Sequence, residues 1–272
     1  MKKDRGVALI IVLLVTALLI ALIFEFAYGT RVSMRSAVNF RDSQRAYYLA
    51  RSGVTFAGLL LSDNLKKNKL QDNIEQRDWQ VVPLMTAAAD TELRVRWEDE
   101  SGKINITNVT KGDTTYNRLV ILFTNKNINQ GILDQIADWQ QHEFRKFYLL
   151  TELHQFMSDE DFAKVADSLT LAPVSQININ TASVDVLQSI GMSSGMAERV
   201  VEQRNNEPFT DGGKLPIFLG AEYDKIGGGN ITMTSNVFKV NSYATVGGFT
   251  KQVEAIITRS TSGFTINYWR AL

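Results

Sequence analysis

The chain has 272 residues, of which 44% are apolar and 10% aromatic, and its 29 Lys and Arg residues balance 29 Asp and Glu residues. Zero net charge excludes the strongly basic surface of a dedicated nucleic-acid-binding protein. The lack of cysteine excludes disulfides, thiolate chemistry and cysteine-ligated zinc. The length suffices for one large or two small domains with a substantial core.

The amino terminus combines a short basic segment with a long apolar run. Residues 1–6 read MKKDRG, and residues 7–24 form an 18-residue run in which only Thr16 is polar. A charge-free run of this length predicts a transmembrane helix. The basic residues before it predict a cytoplasmic amino terminus and translocation of the rest of the chain. A cleaved secretory signal fits less well, because its apolar region is normally shorter and ends in a small-x-small site.

The helix is predicted to continue well beyond the membrane. No proline occurs between Met1 and Val82, and residues 44–63 place apolar side chains at three- and four-residue steps. These features predict one helix over residues 7–66, about 90 Å long. Its second half is amphipathic, so it needs the globular part of the chain to pack on.

The leader and the helix together resemble a prepilin. A basic leader ending in Gly6 precedes the apolar run, and residues 46–53, AYYLARSG, are similar to a segment of the K-type minor pseudopilins of type II secretion systems. The resemblance implies that prepilin peptidase cleaves between Gly6 and Val7 and that the new amino group is methylated. It also implies a single-pass protein of the bacterial inner membrane with its globular part in the periplasm.

Ile11 would be the fifth residue of the mature chain. Pilins usually carry glutamate at that position, and the K-type pseudopilins are the members that lack it. Such a glutamate neutralises a buried amino terminus, since two unit charges about 4 Å apart attract by about 4 kcal/mol at an effective dielectric near 20. A subunit with Ile11 is therefore expected at a filament end; the alternative is that Ile11 simply faces lipid. Glu25 is interpreted as an interfacial charge, not as a replacement for the missing glutamate.

A β-hairpin is predicted next. Apolar and charged side chains alternate over residues 91–97 and again over residues 104–109, as in half-buried strands. The acidic residues 98–100 fall in the turn between them. They are interpreted as a solvated turn in preference to a set of metal ligands.

The pattern then changes to a helical period. Helices are predicted over residues 116–123, 129–143, 149–157 and 159–169, with Ser158 as the N-cap of the last. A further short helix is predicted over residues 214–223. The final third returns to strand patterns over residues 237–246, 250–259 and 264–270, separated by glycine-containing turns that predict an antiparallel meander.

Residues 177–182, ININTA, and the segment after them resemble a helix-hairpin-helix. In DNA-binding members a Gly-hydrophobic-Gly turn presents the second helix to a phosphate. Here Gly191 and Met192 match, but Ser193 replaces the second glycine and the turn lacks Lys and Arg. Because phosphate contacts dominate affinity in such modules, a structural role is favoured. The K-type pseudopilins also contain an INxNTA segment, so the match serves both interpretations.

The element order predicts an α+β fold: a pilin-like long N-terminal helix on an antiparallel sheet, with an inserted all-α domain that contains the helix-hairpin-helix-like segment. The expected divisions are a leader at 1–6, the helix at 7–66, the sheet at 67–112 and 230–272, and the inserted domain at 113–229.

The resemblance implies a minor pseudopilin at the tip of the type II secretion pseudopilus, which initiates or caps assembly for protein export across the outer membrane. Its expected partners are the other minor pseudopilins at the tip and the major pseudopilin. The alternatives are a membrane-anchored nucleic-acid-binding module built on residues 177–205, and a minor pilin of a type IV pilus. No nucleic-acid partner is expected.

An enzyme is not predicted. His142 and His154 have no metal-ligand spacing, and the sequence has no nucleophile elbow or dinucleotide fingerprint. Some K-type members bind calcium, and the family usually has acidic residues after an Asp-Trp pair. Here Asp138-Trp139 is followed by Gln140, and few clustered carboxylates remain for an ion that takes six to eight oxygen ligands. No cofactor is expected, and a calcium site stays open.

Overall fold

The computed structural model describes residues 4–67, 78–84, 90–142 and 145–272. The first three residues of the expected leader lie outside these ranges. So do residues 68–77 and 85–89 of the expected sheet region, and Glu143 at the end of one predicted helix.

Helix α1 is continuous from Asp4 to Lys66, 63 residues in all, so the predicted long helix is confirmed and begins three residues earlier than expected. Hydroxyl side chains within it do not break it. Thr16 donates to the carbonyl oxygen of Val12 at 3.0 Å, and Thr30 donates to that of Phe26 at 2.9 Å. Bonding back to the preceding turn satisfies these hydroxyls without leaving the helical conformation.

The strands longer than two residues all belong to one sheet. In chain order they are β1 Gln80–Val81, β2 Thr91–Asp99, β3 Ile104–Asn105, β4 Leu169–Thr170, β5 Ile177–Asn178, β6 Ile231–Thr232, β7 Val237–Val246, β8 Phe249–Ser260 and β9 Gly263–Ala271. An antiparallel sheet has the order β1-β2-β7-β8-β9. The predicted C-terminal meander is therefore confirmed, with strand ends within one residue of expectation.

The second half of α1 covers one face of this sheet. The helical stripe predicted from the sequence is buried, at 2% exposure or less, through Ala46, Ala50, Val54, Ala57 and Leu61. Helix and sheet approach each other closely at Gly53. A Cβ added there would lie 2.1 Å from Ser242 Oγ on β7, so the helix seats at this depth only because residue 53 has no side chain.

The predicted hairpin is wrong. β2 pairs along its whole length with β7, from Thr91 opposite Val246 to Asp99 opposite Phe238. The next segment forms the two-residue strand β3, which pairs in parallel with β4. Ile104, at 1% exposure, belongs to the core of the helical region. Alternation shows that one face of a segment is buried, but it does not show which core the segment joins.

Among the described residues between β2 and β7 lie seven further α-helices. They are α2 Thr114–Asn125, α3 Gly131–His142, α4 Asp159–Val165, α5 Val184–Ser189, α6 Ser194–Asn206, α7 Lys214–Leu219 and α8 Ala221–Ile226. Ser158 caps α4 as predicted, accepting a hydrogen bond from the Asp161 amide at 3.2 Å. The helix predicted over 149–157 is instead a 3-10 helix, Leu150–Gln155.

Two other predicted helices differ from expectation: one is shorter and one is divided. α4 stops at Val165, and after a 3-10 turn the chain enters β4 at Leu169. The helix predicted over 214–223 is divided into α7 and α8 at Gly220, whose φ of +57° lies in the left-handed region that favours glycine. The inserted helices bury their own apolar cluster, distinct from the cluster shared by α1 and the sheet.

Candidate assembly helix and domain junction

The first half of α1 is apolar, and none of the residues that the structure describes covers it. Its most apolar 18-residue window has 0% of its residues buried. Val7 is 58% exposed, Leu14 65% and Phe24 73%. A core helix of a soluble protein would hide these side chains, whereas this exposed segment is long and apolar enough to cross a membrane.

The residues singled out from the sequence are spread along this helix. Gly6 and Val7 both lie inside α1, and Ile11, 57% exposed, lies about one turn further on. Glu25 is exposed and follows Val7 by about 27 Å along the axis. The structure therefore does not bring Glu25 near Ile11 or near the expected amino terminus within one chain.

The sheet and the helical insertion meet at a buried carboxylate. Asp99, the last residue of β2, is 3% exposed. Its Oδ1 accepts a hydrogen bond from the Ser101 amide at 2.8 Å. Its Oδ2 accepts from Asn178 Nδ2 at 2.9 Å, from Thr181 Oγ1 at 2.6 Å and from the Ser235 hydroxyl. Asp99 therefore contacts both segments that connect the sheet to the helical insertion, the one after β2 and the one before β7.

The interpretation of residues 98–100 as a solvated turn is wrong for two of the three. Asp99 and Glu100 are each 3% exposed. Glu100 accepts hydrogen bonds from the Thr170 hydroxyl on β4 and from Lys103 Nζ, the latter at 2.9 Å. These acids are buried because the chain passes directly from the sheet into the helical region at this point.

Burial and charge act in opposite directions on this cluster. Burial raises the pKa of Asp99 above its ordinary value, against the hydrogen bonds from Ser235 and its neighbours that lower it. Burial lowers the pKa of Lys103, but the attraction of Glu100 and then Glu98 outweighs it, and the net pKa lies above the ordinary value. Lys103 therefore stays charged between the two glutamates, 2.7 Å from Glu98 Oε1.

The ININTA segment has a structural role at the same junction. Asn180, 6% exposed, donates from Nδ2 to the carbonyl oxygens of Phe209 at 2.8 Å and Met233 at 3.1 Å. Its Oδ1 accepts from the Phe209 amide at 2.9 Å. Asn178 reaches Asp99, as described above. The two asparagines supplement the short parallel pairing of β5 with β6 and hold the start of the hairpin to the segment that leads back to the sheet.

The helix-hairpin-helix geometry is present, but its phosphate position is occupied. Gly191 has a φ of +99°, as the turn between α5 and α6 requires. At the start of α6 the Ser193 amide donates to Glu222 Oε2 at 3.1 Å. Hydrogen bonds from the Ser193 side chain and backbone lower the pKa of Glu222. An internal carboxylate thus takes the place that a phosphate has in a DNA-binding hairpin.

The cations of this hairpin are also engaged internally. Arg204 Nη1 donates to the carbonyl oxygens of Ile179 at 2.9 Å and Ala182 at 2.5 Å. The guanidinium of Arg199 lies over the Phe218 ring, 5.4 Å from its centroid. The arrangement binds the hairpin to its own neighbours, which supports the structural interpretation.

Within the described ranges, no group of three or more His, Asp and Glu side chains is placed to hold a metal ion. His142 and His154 are both exposed, and His154 Nδ1 lies 2.8 Å from Asp159 Oδ1. Gln140 is 4% exposed, accepts from the Val109 amide at 2.7 Å and donates to the Ile106 carbonyl at 2.9 Å. The residue after the Asp-Trp pair therefore fastens α3 to the segment that follows β3.

Sequence reasoning missed the residues that join the sheet to the insertion, namely Asp99, Asn178 and Arg259, and the role of Gln140 inside the insertion. The available signal for Arg259 was its place on the buried face of β8, in step with Ala255 and Ile257, whereas Asn178, alternating with isoleucines, carried no such signal. For Asp99 the adjacent acids concealed it, because a run of three acidic residues is typical of a turn.

Together, a long helix with an uncovered apolar half and an antiparallel sheet on its other half define a pilin-like protein. The family model described as type II secretion system protein K matches residues 177–216. The type II secretion system protein K of Pseudomonas aeruginosa is 25% identical over 304 residues, covering 96% of this chain and 91% of that protein.

A solved structure has the same fold. A chain of the crystal structure of the GspK–GspI–GspJ complex, from the type 2 secretion system of enterotoxigenic Escherichia coli, aligns with a TM-score of 0.61 and 15% identity. The alignment covers 88% of this chain and 99% of that one. The resemblance to the K-type minor pseudopilins of type II secretion systems is confirmed by these findings, and so is the predicted fold class.

Proposed function

We propose that this chain is the tip subunit of a type II secretion pseudopilus, where it starts or caps assembly for protein export across the outer membrane. In this proposal the inner membrane stores the chain with its globular part in the periplasm. Prepilin peptidase removes the leader at Gly6–Val7, the new amino terminus is methylated, and α1 then joins the helices of other subunits. The function is structural and not enzymatic.

The position of the helical insertion is the observation that supports the tip. Asp42 Oδ2 would lie 2.7 Å from a Cβ on Gly247, so the β7–β8 turn meets α1 at the end of its packed half that faces the apolar run. Arg259 Nη1 donates to the Leu61 carbonyl at 2.9 Å, so the opposite end of the sheet meets the far end of α1. The insertion leaves the sheet at that far end, through Asp99 and Ser235.

A bulky insertion at the end of α1 that points away from the membrane obstructs a subunit arriving above it. It leaves the apolar half of α1 free to pack against subunits below. The partners we propose are two pilin-like subunits of the kind named with the Escherichia coli protein, GspI and GspJ, and then the major pseudopilin. Ile11 supports the same position, because it supplies no carboxylate for a neighbour's buried amino terminus.

The leader is tested by expressing the full chain with its secretion system and determining its mature amino terminus by mass spectrometry. We expect a methylated Val7 in the parent and an uncleaved precursor for Gly6→Ala. Gly29→Ala, on the same helix with nothing within 4 Å of the added Cβ, is the control and should be processed normally. An intact Met1 on the functioning protein would refute the proposal.

The tip position is tested by labelling the chain in assembled pseudopili and locating the label by electron microscopy. Label at one end only is expected. Label distributed along the filament would contradict the tip role, while leaving membership of the filament intact.

A further inference from the structure

Beyond the apolar run, α1 carries an exposed stripe of two aromatic and two basic side chains. Phe24, Tyr28, Arg31 and Arg35 follow one another at steps of four, three and four residues, which places them on one face of the helix. Phe24 is 73% exposed and Tyr28 72%, and both arginines are exposed. Neither arginine has an ion-pair or hydrogen-bond partner in the part of the chain that the structure describes.

When residues 7–24 span the membrane, the stripe begins at the lipid headgroups and ends just above them. That run is about 27 Å long, close to the thickness of the hydrocarbon core, and headgroups add about 5 to 7 Å on each side. The Cα atoms of Arg31 and Arg35 stand about 10 and 16 Å beyond Phe24. Side chains on a helix lean toward its amino terminus, so both guanidinium groups point back toward the headgroups.

The aromatic residues on the membrane side of the arginines fit this placement. Phe24 and Tyr28 occupy the interface, where aromatic side chains are enriched in membrane proteins. Arg31 and Arg35 do not help to orient the chain, because basic residues on the translocated side oppose the signal of the amino-terminal ones. Their exposed charges are therefore available to anionic groups at the membrane surface.

The shape of the molecule favours a small partner on this face. Seven residues after Arg35, the same face carries Asp42, which is 8% exposed under the β7–β8 turn, and then the fully buried Ala46. The stripe thus lies on the side of α1 that the sheet overhangs. A second helix lying along this whole face would collide with the sheet, whereas a headgroup would not.

We propose that Arg31 and Arg35, flanked by Phe24 and Tyr28, form a binding site for anionic phospholipid headgroups in the membrane-stored form of the protein. The guanidinium groups bind the headgroup phosphate through charge-assisted hydrogen bonds, and the aromatic rings lie against the upper acyl chains. This inference rests on the membrane-stored stage of the proposed function. It adds that the stored subunit selects its lipids.

The experiment titrates the full chain in detergent micelles with phosphatidylglycerol or phosphatidylcholine and counts retained lipids by native mass spectrometry. We expect tighter retention of phosphatidylglycerol by the parent chain. Arg31→Gln with Arg35→Gln should weaken it by about 30-fold, equivalent to about 2 kcal/mol for two basic residues at an anionic surface. Arg45→Gln with Lys66→Gln removes the same charge from exposed positions of α1 beyond headgroup reach and should leave retention unchanged.

Equal retention of the two lipids by the parent chain would overturn the site, as would an equal loss in both double variants. Release of the full chain from membranes by alkaline carbonate would instead overturn the membrane-stored stage, and the site with it. A double variant that keeps its lipid preference but loses co-purification with other pilin-like subunits would assign the stripe to a protein interface and refute the lipid site.

Discussion

Arg259 on β8 donates from Nη1 to the carbonyl oxygen of Leu61 near the end of α1, at 2.9 Å. It is 2% exposed, donates from Nε to the Ser235 carbonyl at 3.0 Å, and lies over the Phe238 ring. A cation at the carboxyl end of a helix also interacts favourably with the negative end of the helix dipole. This one side chain therefore joins α1, the sheet and the segment by which the insertion returns to the sheet.

Replacing Arg259 by Met should destabilise the protein strongly, because buried carbonyl groups lose a charged donor. Hydrogen bonds to charged groups contribute about 1.5–3 kcal/mol each, so we expect a loss of about 3 kcal/mol in the free energy of unfolding. Arg94→Met is the control, since Arg94 is half exposed and its ion pair with Glu92 lies at the surface. Denaturant unfolding in micelles measures the stability of each variant. Equal stabilities of the Arg259→Met and Arg94→Met variants would contradict this role of Arg259.

Asp99→Asn keeps the shape of the junction but removes one acceptor. Both carboxylate oxygens of Asp99 accept hydrogen bonds, and an amide group must turn its NH₂ toward donors. We expect a loss of about 1–3 kcal/mol in stability, seen as a lower midpoint in circular dichroism. Asp138→Asn, at an exposed ion pair with Lys111, should change the midpoint little.

Asp99 should also make stability depend on pH. Burial raises its pKa in the folded state above the ordinary value near 3.9. A raised folded pKa gives a contribution that is complete below the ordinary pKa and is lost as the pH rises through the folded value. The advantage of the parent over Asp99→Asn should therefore be largest in acid and shrink toward neutral pH. A difference that grows with pH would refute this sign.

Gly53→Ala should loosen the packing of α1 on the sheet. The added Cβ would lie 2.1 Å from Ser242 Oγ and 3.0 Å from Leu93 and Val95, and overpacking of this kind costs about 1–3 kcal/mol. Gly29→Ala is the matched control: its Cβ meets nothing within 4 Å, and alanine favours a helix by up to about 1 kcal/mol. Adding Ser242→Ala should recover part of the loss. A Gly53→Ala variant as stable as the Gly29→Ala variant would show that helix and sheet are not packed this closely.

Ile11→Glu should make the subunit acceptable inside a filament, because a carboxylate is then available to a neighbour's amino terminus. We expect more copies of the labelled chain per pseudopilus and label away from the tip. Ile10→Glu is the control, since it introduces the same charge at a neighbouring exposed position of the same helix. Identical behaviour of the two variants would mean that the position of the carboxylate does not matter, and the electrostatic account would fail.

The sequence alone determined the features that depend on local pattern. The period of apolar residues and the lack of proline gave α1 almost to its last residue, and alternation between glycine turns gave β7, β8 and β9. The cap at Ser158 followed from its side chain and the acidic residues after it. Each of these needs only the residues within a few positions, because helices and hairpins are closed by near neighbours.

Only the tertiary structure decided what the long-range contacts join. It paired β2 with β7 across the whole insertion, buried Asp99 and Glu100 where their sequence suggested a solvated turn, and placed Glu222 at the start of α6. A local pattern shows that a face is buried or that a residue is polar. It does not show the distant group that covers or bonds to it, since that depends on how the chain returns.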